Sequence, residues 1–427
     1  MRILMMAGNY APEKTASAPL TTDFCRYLRA SGHSVSVVTT FPHYPQWKIW
    51  KGYSGRFYAK ETIDGIPVYR ILNYIPEHPT SLKRVLYYGS FGMEALLPAF
   101  ASGRPDLIVC VTPPLELALS AYLLTLAWRV PYVLWIKDLV PDVAIQLGML
   151  KNRMLINLAA GLEQFAYAHA VKLVVICDSF AENISRKGVS TNKVAVVPQW
   201  ADIEMIRPEI SGASFRLRNQ IESSSFVVLH AGNIGEKQRL ELLIHAAKRL
   251  EEHREIQLVI VGDGARKGAV VAEAKRLKSS NVRFLPLQPE EQFAEMLASS
   301  DVLALHQDSD LTDAVIPSKL LTYMASGKPI VATARPESAT GRTISSSGCG
   351  VTVEPGNTTE LSAAIFKLFR DKELRARCGS SGRNFVCENF ARMDVLSRLE
   401  SLLYESAGIP RPSAQENNSA QPMIEVA

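Results

Sequence analysis

The sequence predicts an α/β fold of two Rossmann-like domains, each built on a parallel sheet, facing each other across a cleft. Short continuous runs rich in Val, Ile and Leu alternate with helical segments along most of the 427 residues. Such runs are typical of strands buried on both faces of a parallel sheet. The pattern restarts near residue 226, after a polar stretch at 211–225. Two similar domains therefore join near residue 205.

Twelve segments have the length and composition of strands, and the polar or helical segments between them give the order β-α-β-α. They are Arg2–Ala7, Ser34–Thr39, Leu107–Val111, Tyr132–Ile136, Leu173–Ile176, Val194–Val197, Phe226–Ala231, Gln257–Val261, Val282–Phe284, Val302–Leu305, Ile330–Thr333 and Gly350–Val353. After residue 360 the chain is predicted to be helical to about residue 405. The tail at 406–427 has the Pro, Gln and Asn content of a disordered end.

The composition excludes several classes of protein. Apolar residues make up 47% and charged residues 21% of the chain, as in a globular protein. The six cysteines have no CxxC spacing, which argues against a zinc site or a disulfide framework and suits the reducing cytoplasm. We also find no signal peptide and no uninterrupted apolar run of about 18 residues that would span a membrane.

The net charge of +5 lies in the first half of the chain. Residues 1–205 carry 20 Lys and Arg against 15 Asp and Glu, whereas residues 206–427 carry 27 of each kind. The excess fits an anionic membrane surface or a diphosphate-bearing substrate, and it equally fits ordinary variation in surface charge.

A glycine-rich segment follows the strand at 226–231 and opens a helix. Gly232 and Gly235 would let the backbone approach a phosphate, beside the side chains of Asn233 and Lys237. The spacing matches neither GxGxxG nor the P-loop. An ordinary β-α turn is the alternative.

A second anion-binding segment spans 313–321. Pro317 is suited to start a helix, which would bring free N–H groups, the Ser318 hydroxyl and the Lys319 ammonium to one place. A lysine in a first helical turn opposes the helix dipole, so its presence there favours an anionic partner. The predicted contacts are Ala314, Val315, Ile316, Pro317, Ser318 and Lys319.

Weaker candidates follow other strands. Gly262 and Gly264 form a loop suited to flank a nucleotide base, although Gly-Asp-Gly is also a common turn. Gln288 follows the next strand. In the first domain, Asp138 is a candidate for holding or deprotonating a substrate hydroxyl, or else a helix cap. The loop after the first strand and an aromatic segment near residue 47 add Asn9, Tyr10, Pro12, Glu13 and Trp47.

The helical stretch at 80–97 combines aromatic and basic residues. It predicts either a face that lies on a membrane surface or a half-buried amphipathic helix with its cations reaching solvent. The residues of that face are Lys83, Arg84, Tyr87, Tyr88 and Phe91.

These motifs together resemble the retaining family 4 glycosyltransferases, within them the WcaI-type branch associated with colanic acid and related exopolysaccharides. The resemblance extends from residue 1 to about 400. It rests on the segments 9–13, 44–47, 82–84, 89–91, 232–238, 286–288 and 313–320.

The resemblance implies a GT-B fold, with an acceptor-binding domain at 1–205, a nucleotide-sugar-binding domain at 206–380, and a helix at 381–405 that crosses back to the first domain. It implies fucosyl transfer from GDP-fucose to a lipid-diphosphate-linked glucose. We expect no nucleic acid partner, and peripheral contact with the cytoplasmic face of the inner membrane.

Three features, which involve four residues, depart from the family pattern. Ala314 and Thr322 stand where many members have two glutamates, Gln199 replaces an asparagine, and Arg239 stands where a glycine often follows the loop.

The mechanism expected from these residues needs no metal or cofactor, because Lys319 and the glycine loop would stabilise the leaving diphosphate in its place. Asp308-Ser309-Asp310 has a metal-binding form but lies in a variable loop. Two alternatives stay open: a GT-B UDP-sugar epimerase, and a sugar-nucleotide-binding partner without catalysis.

Overall fold

The computed structural model describes residues 1–14, 17–44, 46–77, 81–142, 145, 150, 152–306 and 317–412. The chain forms two compact units. One contains Met1–Pro198 and Leu396–Ala427, and the other contains Gln199–Val395. The division therefore falls at Pro198, a few residues before the predicted position near residue 205.

The first unit is built on a sheet whose eight described strands are all parallel except the first edge strand. Its order is β3-β4-β2-β1-β5-β6-β7-β8, with β3 antiparallel to β4. The strands are β1 (Arg2–Met6), β2 (Ser34–Thr40), β3 (Tyr58–Ile63), β4 (Ile66–Ile71), β5 (Leu107–Thr112), β6 (Tyr132–Ile136), β7 (Lys172–Val175) and β8 (Val194–Val196).

The second unit is built on a sheet with six described strands, all parallel, in the order β11-β10-β9-β12-β13-β14. The strands are β9 (Phe226–Ala231), β10 (Ile256–Val261), β11 (Val282–Leu285), β12 (Val302–His306), β13 (Ile330–Thr333) and β14 (Gly350–Val353). Every residue of β9 and β12 is buried, which is why these strands are continuous apolar runs in the sequence.

Helices connect the strands and cover the sheets. Numbered along the described chain, they are α1 (Ala18–Ala30), α2 (Ser81–Glu94), α3 (Leu96–Ser102), α4 (Leu117–Trp128), α5 (Arg153–His169), α6 (Asp178–Arg186), α7 (Ala213–Arg218), α8 (Glu241–Arg249), α9 (Lys267–Arg276), α10 (Phe293–Ala298), α11 (Ser318–Ala325), α12 (Ala339–Ser347), α13 (Thr358–Arg370), α14 (Lys372–Phe390) and α15 (Arg392–Ala407).

The predicted fold class, with two Rossmann-like sheets, is confirmed, but the hairpin of β3 and β4 was not among the predicted strands. Asp64 and Gly65 form its turn, both with positive φ. An Asp-Gly pair between two strand-forming runs is a strong hairpin signal. The strand β3 was missed because its exposed residues alternate with half-buried ones, so it lacks the continuous apolar run by which the other strands were predicted.

The C-terminal helix returns to the first unit, as the fold prediction expected, but it begins later. The segment 381–395 belongs to the second unit, and α15 joins the first unit from Leu396 onwards. There the Glu400 carboxylate accepts bonds from His33 Nε2 at 2.9 Å and the Tyr27 hydroxyl at 3.1 Å.

The predicted disordered tail starts too early at residue 406. Helix α15 runs to Ala407, and the Arg411 guanidinium donates to Glu400 at 2.8 Å. The rest of the predicted tail, 413–427, lies outside the described residues.

Two further predictions concern the state of the cysteines and the presence of a membrane-spanning segment. Each of the six cysteines is a free thiol. Within the described ranges, no helix has both the length and the apolar character needed to cross a bilayer.

Candidate active site

The second sheet changes winding direction at β9, whose neighbours are β10 on one side and β12 on the other. Open α/β sheets bind ligands at such a point, beyond the carboxyl ends of the strands. The loop after β9 begins at Gly232, and the connection after β12 leads to α11. The predicted glycine loop therefore starts at this point, and the described part of the second predicted segment lies at the start of α11.

Glycines allow the loops after β9 and β10 to pack backbone against backbone. The Gly232 amide donates to the Val261 carbonyl at 2.8 Å. A Cβ on Gly262 would lie 1.9 Å from the Gly232 carbonyl oxygen, and one on Gly264 would lie 2.4 Å from the Ile234 carbonyl oxygen. The three predicted glycines thus come together, and Gly262 in particular has no room for a side chain.

Lys319 reaches this glycine loop from the second residue of α11. A Cβ on Gly232 would lie 2.9 Å from Lys319 Nζ, so the ammonium rests directly on the loop backbone. Burial lowers the pKa of Lys319 to about 8. In the described part of the chain, its one polar side-chain partner is His230, at 3.5 Å from Nζ.

His230 is a site residue that the sequence analysis did not single out. It is fully buried near the end of β9, and its Nδ1 donates to the Ala304 carbonyl at 3.1 Å. Its other ring nitrogen, Nε2, is therefore the acceptor for Lys319. Burial and the adjacent Lys319 charge hold the pKa of His230 well below its ordinary value. The half-buried ammonium thus faces a neutral ring.

Tyr323 ties α11 to the end of β9. Its hydroxyl accepts the Ala231 N–H at 3.0 Å and donates to the Ala231 carbonyl at 3.2 Å. The helix that carries Lys319 is therefore held at a fixed position relative to the glycine loop. Tyr323 lies within the apolar pattern of a helix, so the sequence did not indicate this role.

The helix start offers further anion-binding groups. Pro317 precedes the first turn of α11, and among the described residues no side chain caps the amides that follow it. The exposed Ser318 stands at the first helical position. Free N–H groups at a helix start together with a cation form an arrangement that binds phosphate.

Other predicted donor residues lie around the loop. Gly235 donates its N–H to Gln238 Oε1 at 3.1 Å, and the Asn233 side chain is close to Gly235. Gln288 follows β11, which neighbours β10, and its amide donates to the Pro286 carbonyl at 2.7 Å.

Some predicted donor contacts cannot be placed. Ala314, Val315 and Ile316 lie outside the described residues, as does the side chain of Lys237.

The structure gives the local geometry at two positions that depart from the family pattern. Arg239 adopts φ 38° and ψ 51°, in the left-handed region that glycine adopts most easily. Thr322 points its hydroxyl back along α11, donating to the Ser318 carbonyl at 3.0 Å. A glycine at position 239 would adopt these backbone angles without strain. A glutamate side chain at position 322 would extend further from α11 than the threonine side chain does.

In the first unit, Glu13 joins the loops after β1 and β2. Its carboxylate accepts the backbone N–H of His43 at 2.9 Å, the N–H of Tyr44 at 2.8 Å and the Asn9 amide at 3.0 Å. The expectation that Glu13 and Tyr10 face an acceptor is wrong, because both side chains are buried. Pro12 is exposed in the same loop.

An aromatic cluster lies beside this loop. The Trp47 and Tyr87 rings are 5.2 Å apart, and the Tyr87 hydroxyl lies 2.9 Å from His43 Nε2. Because His43 Nδ1 lies 2.8 Å from the Phe41 carbonyl, it donates there, and Nε2 accepts from Tyr87. Burial lowers the pKa of His43, so the ring is neutral.

Asp138 is exposed just after the carboxyl end of β6. The preceding residue, Lys137, is buried with its ammonium 3.3 Å from the centre of the Trp135 ring. Burial lowers the pKa of Lys137 strongly, and the charge of Asp138 acts in the opposite direction. The role of Lys137 beside Asp138 was not predicted.

The predicted membrane face on α2 is wrong in part. Tyr87 and Phe91 are buried in the first unit. Lys83 is exposed, Tyr88 is half-buried, and the side chain of Arg84 lies outside the described residues. Among the side chains of α2 that the structure describes, the exposed large apolar ones are instead Leu86 and Met93.

Arg70 is a further residue that the sequence analysis missed. Its fully buried guanidinium donates to the Thr40 carbonyl at 2.9 Å and also to the Ala11 carbonyl and the Glu61 carboxylate. It therefore holds the loop after β1 to the end of β2. Across the described residues, no group of three or more metal-binding side chains converges.

Comparison with known proteins identifies the family. Residues 16–200 match the model "Glycosyl transferase 4-like domain", and residues 214–385 match "Glycosyl transferases group 1". The chain is 33% identical over 373 residues to the putative colanic acid biosynthesis glycosyl transferase WcaI of Escherichia coli (strain K12), which covers 86% of this chain and 91% of that protein. The chain belongs to the group 1 glycosyltransferases. It is therefore a transferase enzyme.

Solved structures of other glycosyltransferases share the fold. Sucrose-phosphate synthase from Thermosynechococcus elongatus superposes with a TM-score of 0.73 at 16% identity, over 95% of this chain and 98% of that one. Anabaena HepE in complex with UDP gives a TM-score of 0.70 at 17% identity, over 95% of this chain and 100% of that one. These likenesses confirm the GT-B fold.

Proposed function

We propose that this glycosyltransferase takes its sugar from a nucleoside diphosphate donor bound at the glycine loop and transfers it to an acceptor hydroxyl in exopolysaccharide biosynthesis. The observation that carries the proposal is the half-buried Lys319 ammonium, which rests on Gly232 and faces a neutral histidine. A buried cation costs free energy unless an anion accompanies it. The diphosphate of a donor would supply that anion.

The mechanism follows from this placement. As the bond between sugar and diphosphate breaks, negative charge develops on the leaving phosphate oxygen. Lys319 and the free N–H groups at the start of α11 stabilise that charge. The acceptor hydroxyl attacks the same face of the sugar, its proton passes to the leaving oxygen, and the anomeric configuration is retained. We propose that no metal takes part.

The relatives bear on the substrates. The name of the E. coli relative places that protein in colanic acid biosynthesis, and a HepE structure was solved in complex with UDP-glucose. We propose fucosyl transfer from GDP-fucose to a lipid-diphosphate-linked glucose as the specific reaction. The epimerase alternative differs in its product, because an epimerase releases an altered nucleotide sugar without any acceptor.

The donor site can be tested by thermal stabilisation with GDP-, UDP- and ADP-sugars in the presence of EDTA, because a ligand that binds the folded state raises its stability. We expect one nucleotide family to raise the melting temperature of the wild type. Lys319→Met should abolish that shift, and Lys275→Met, which removes an exposed lysine of α9, should keep it. An equal shift in all three proteins would exclude Lys319 from the donor site.

We also propose that the first unit binds an anionic membrane surface through one face of α2, α3, α4 and α5. Neighbouring helices of this set pack together, and the Phe100 and Trp128 rings of α3 and α4 are 5.1 Å apart. The face carries nine exposed apolar side chains, namely Leu86, Met93, Leu97, Phe100, Leu119, Leu123, Leu126, Met154 and Leu158. Basic residues flank these helices, namely Lys83, Arg104, Arg129 and Arg153. An apolar face with flanking cations suits an anionic lipid headgroup region.

A further inference from the structure

A pocket of about 510 Å³ lies in the first unit beside the β3–β4 hairpin, where no predicted site residue except Trp47 was placed. We call it the hairpin pocket. Its volume is within the range of about 300–1,000 Å³ that is usual for small-molecule sites. Six of the lining residues carry the argument: Trp47, Phe57, Asn73, Tyr74, Glu77 and Glu94.

Two residues that line this pocket, Asn73 and Glu94, have polar atoms with unused hydrogen-bonding capacity. The Asn73 side chain is only 4% exposed, yet neither its amide nitrogen nor its amide oxygen finds a partner in the described part of the chain. The same holds for Glu94 Oε2, and burial raises the pKa of Glu94. Buried polar groups are nearly always hydrogen-bonded, so three such atoms in one pocket point to a bound molecule.

The other buried asparagine in the described part of the chain, Asn281, differs from Asn73. Asn281 also has an oxygen without a described partner, but its amide donates to the Ala247 carbonyl at 2.8 Å. The backbone around Asn73 is held firmly: the Leu72 N–H donates to the Phe57 carbonyl and the Tyr74 N–H donates to Ser90 Oγ. Asn73 is therefore a lining residue on a firmly held backbone whose amide makes no bond within the described part of the chain.

The chemistry of the lining selects one class of ligand. An amide that offers both a donor and an acceptor matches hydroxyl groups, which also do both. The rings of Trp47, Phe57 and Tyr74 provide apolar surfaces on which the C–H face of a sugar packs. The carboxyl groups of Glu77 and Glu94 outnumber the single lining cation, Lys48, and so disfavour an anion. A neutral, hydroxyl-rich ring satisfies all three features.

We infer that the hairpin pocket binds a sugar ring of the acceptor, with Asn73 and Glu94 bonding its hydroxyls and the aromatic rings packing against it. This rests on the proposed glycosyl transfer. Strand β4 runs parallel to β2 and β1, so it ends at the same edge of the sheet as the loop that contains Glu13. Glu94 also follows the exposed Met93 of the apolar face, which places the pocket beside the proposed membrane surface.

The test uses saturation-transfer NMR of the full chain with the methyl glycosides of D-glucose, D-galactose, D-mannose and L-fucose. We expect at least one of them to receive saturation, strongest at its ring C–H protons. Asn73→Leu should weaken its binding about tenfold by removing two bonds. The same variant should melt at a higher temperature than wild type, because an unsatisfied buried amide is replaced by an apolar group of similar size.

Asn281→Leu is the matched control. It should lower the melting temperature, because it removes an existing bond, and leave sugar binding unchanged. Glu94→Gln provides a second variant if Asn73→Leu does not fold, and it should weaken sugar binding several-fold.

Two results would overturn the inference: no saturation of any of the four glycosides by the wild type, or equal saturation in the wild type, Asn73→Leu and Glu94→Gln. Nucleotide stabilisation separates this inference from the proposed donor site. If nucleotides bind and sugars do not, the hairpin pocket assignment fails alone. If sugars bind and nucleotides do not, the donor assignment fails alone.

Discussion

Burial holds the pKa of Lys319 at about 8, below its ordinary value of 10.5. In the nucleotide-free protein, the unfolded state therefore binds the Lys319 proton more tightly than the folded state does. The folded state is relatively more stable above pH 10.5, where neither state holds the proton, and this stability is lost as the pH falls towards 8. A bound diphosphate needs the charged form. We therefore expect nucleotide affinity to fall as the pH rises above about 8, approaching about tenfold per pH unit if only the ammonium form binds.

Calorimetric titration of the preferred nucleotide between pH 7 and about pH 9.5 measures this dependence. Lys319→Met should bind weakly with a flat profile over the same range, which also controls for ionisation of the nucleotide itself. A wild-type affinity that does not change with pH would show that the Lys319 charge plays no part in binding.

The close contact between Gly262 and Gly232 predicts a second effect of single residues. Gly262→Ala would push a methyl group into the Gly232 carbonyl, and we expect it to lower the free energy of unfolding by about 3 kcal/mol. Gly268→Ala, on α9, meets no atom within 4 Å and should stabilise the protein by about 0.5–1 kcal/mol. Urea denaturation compares the two. Equal effects would mean that the glycine loops are not packed as described.

Residue-level prediction from the sequence worked where the backbone geometry itself requires a residue type. Gly232, Gly262 and Lys319 come together because they follow adjacent parallel strands. The failures concern side chains whose burial depends on distant segments. Tyr10 is fully buried although it follows a strand in an apparent loop, and His230 acquires its role only when α11 brings Lys319 to it.

At the scale of elements, the cluster at Glu400 holds α15 on the first unit. Burial tends to raise the pKa of Glu400, but the bonds from His33 and Tyr27 and the Arg411 charge outweigh it, and the pKa ends below its ordinary value. This stabilisation is present above the ordinary pKa and is lost as the pH falls through the lowered value. We expect Glu400→Gln to cost about 1.5–3 kcal/mol near pH 7.

Thermal unfolding checks this against Glu405→Gln on the same helix. Glu405 is 63% exposed and pairs with Lys172 at 2.8 Å, so its loss should cost less than about 1 kcal/mol. Equal melting temperatures for the two variants would mean that the buried cluster does not hold the helix.

The sequence predicted most elements because their signals are local. Continuous apolar runs identified the buried strands of both sheets. The helical region after residue 360 was also found, but it is divided into α13, α14 and α15, with short breaks at Asp371 and Ala391. The position of the return to the first unit follows from packing between distant residues, which no local pattern contains.

At the scale of the whole molecule, the apolar face and the charge excess predict selective binding to anionic vesicles. We expect sedimentation with phosphatidylglycerol vesicles, weaker sedimentation with phosphatidylcholine, and loss of the difference at high salt, since salt screens surface charges. Leu123→Glu, at a position 49% exposed on α4, should weaken binding to both.

Leu217→Glu is the control for that substitution. Leu217 is 81% exposed on α7 of the second unit, outside the proposed face, so its replacement should leave vesicle binding unchanged. Identical losses for the two variants would indicate non-specific adsorption rather than a defined face.

The overall architecture could be predicted from the sequence, whereas the hairpin pocket could not. Alternating strands and helices in two sets determine two parallel sheets under ordinary rules of connection. The pocket depends on the hairpin, whose outer strand has an alternating pattern, and on Asn73, a polar residue with no motif around it. Its significance appears only when its burial and its missing partners are known together.

The edge strands of the two sheets affect the tendency of the protein to aggregate at high concentration. An exposed edge strand offers unpaired backbone groups to other chains and invites aggregation. Here β8 has three residues, and β11 and β14 have four each, too short to template a long ladder. The longer edge, β3, carries the charged Lys60 on its exposed side. The hairpin that borders the hairpin pocket therefore also protects the first sheet against joining the sheets of neighbouring molecules.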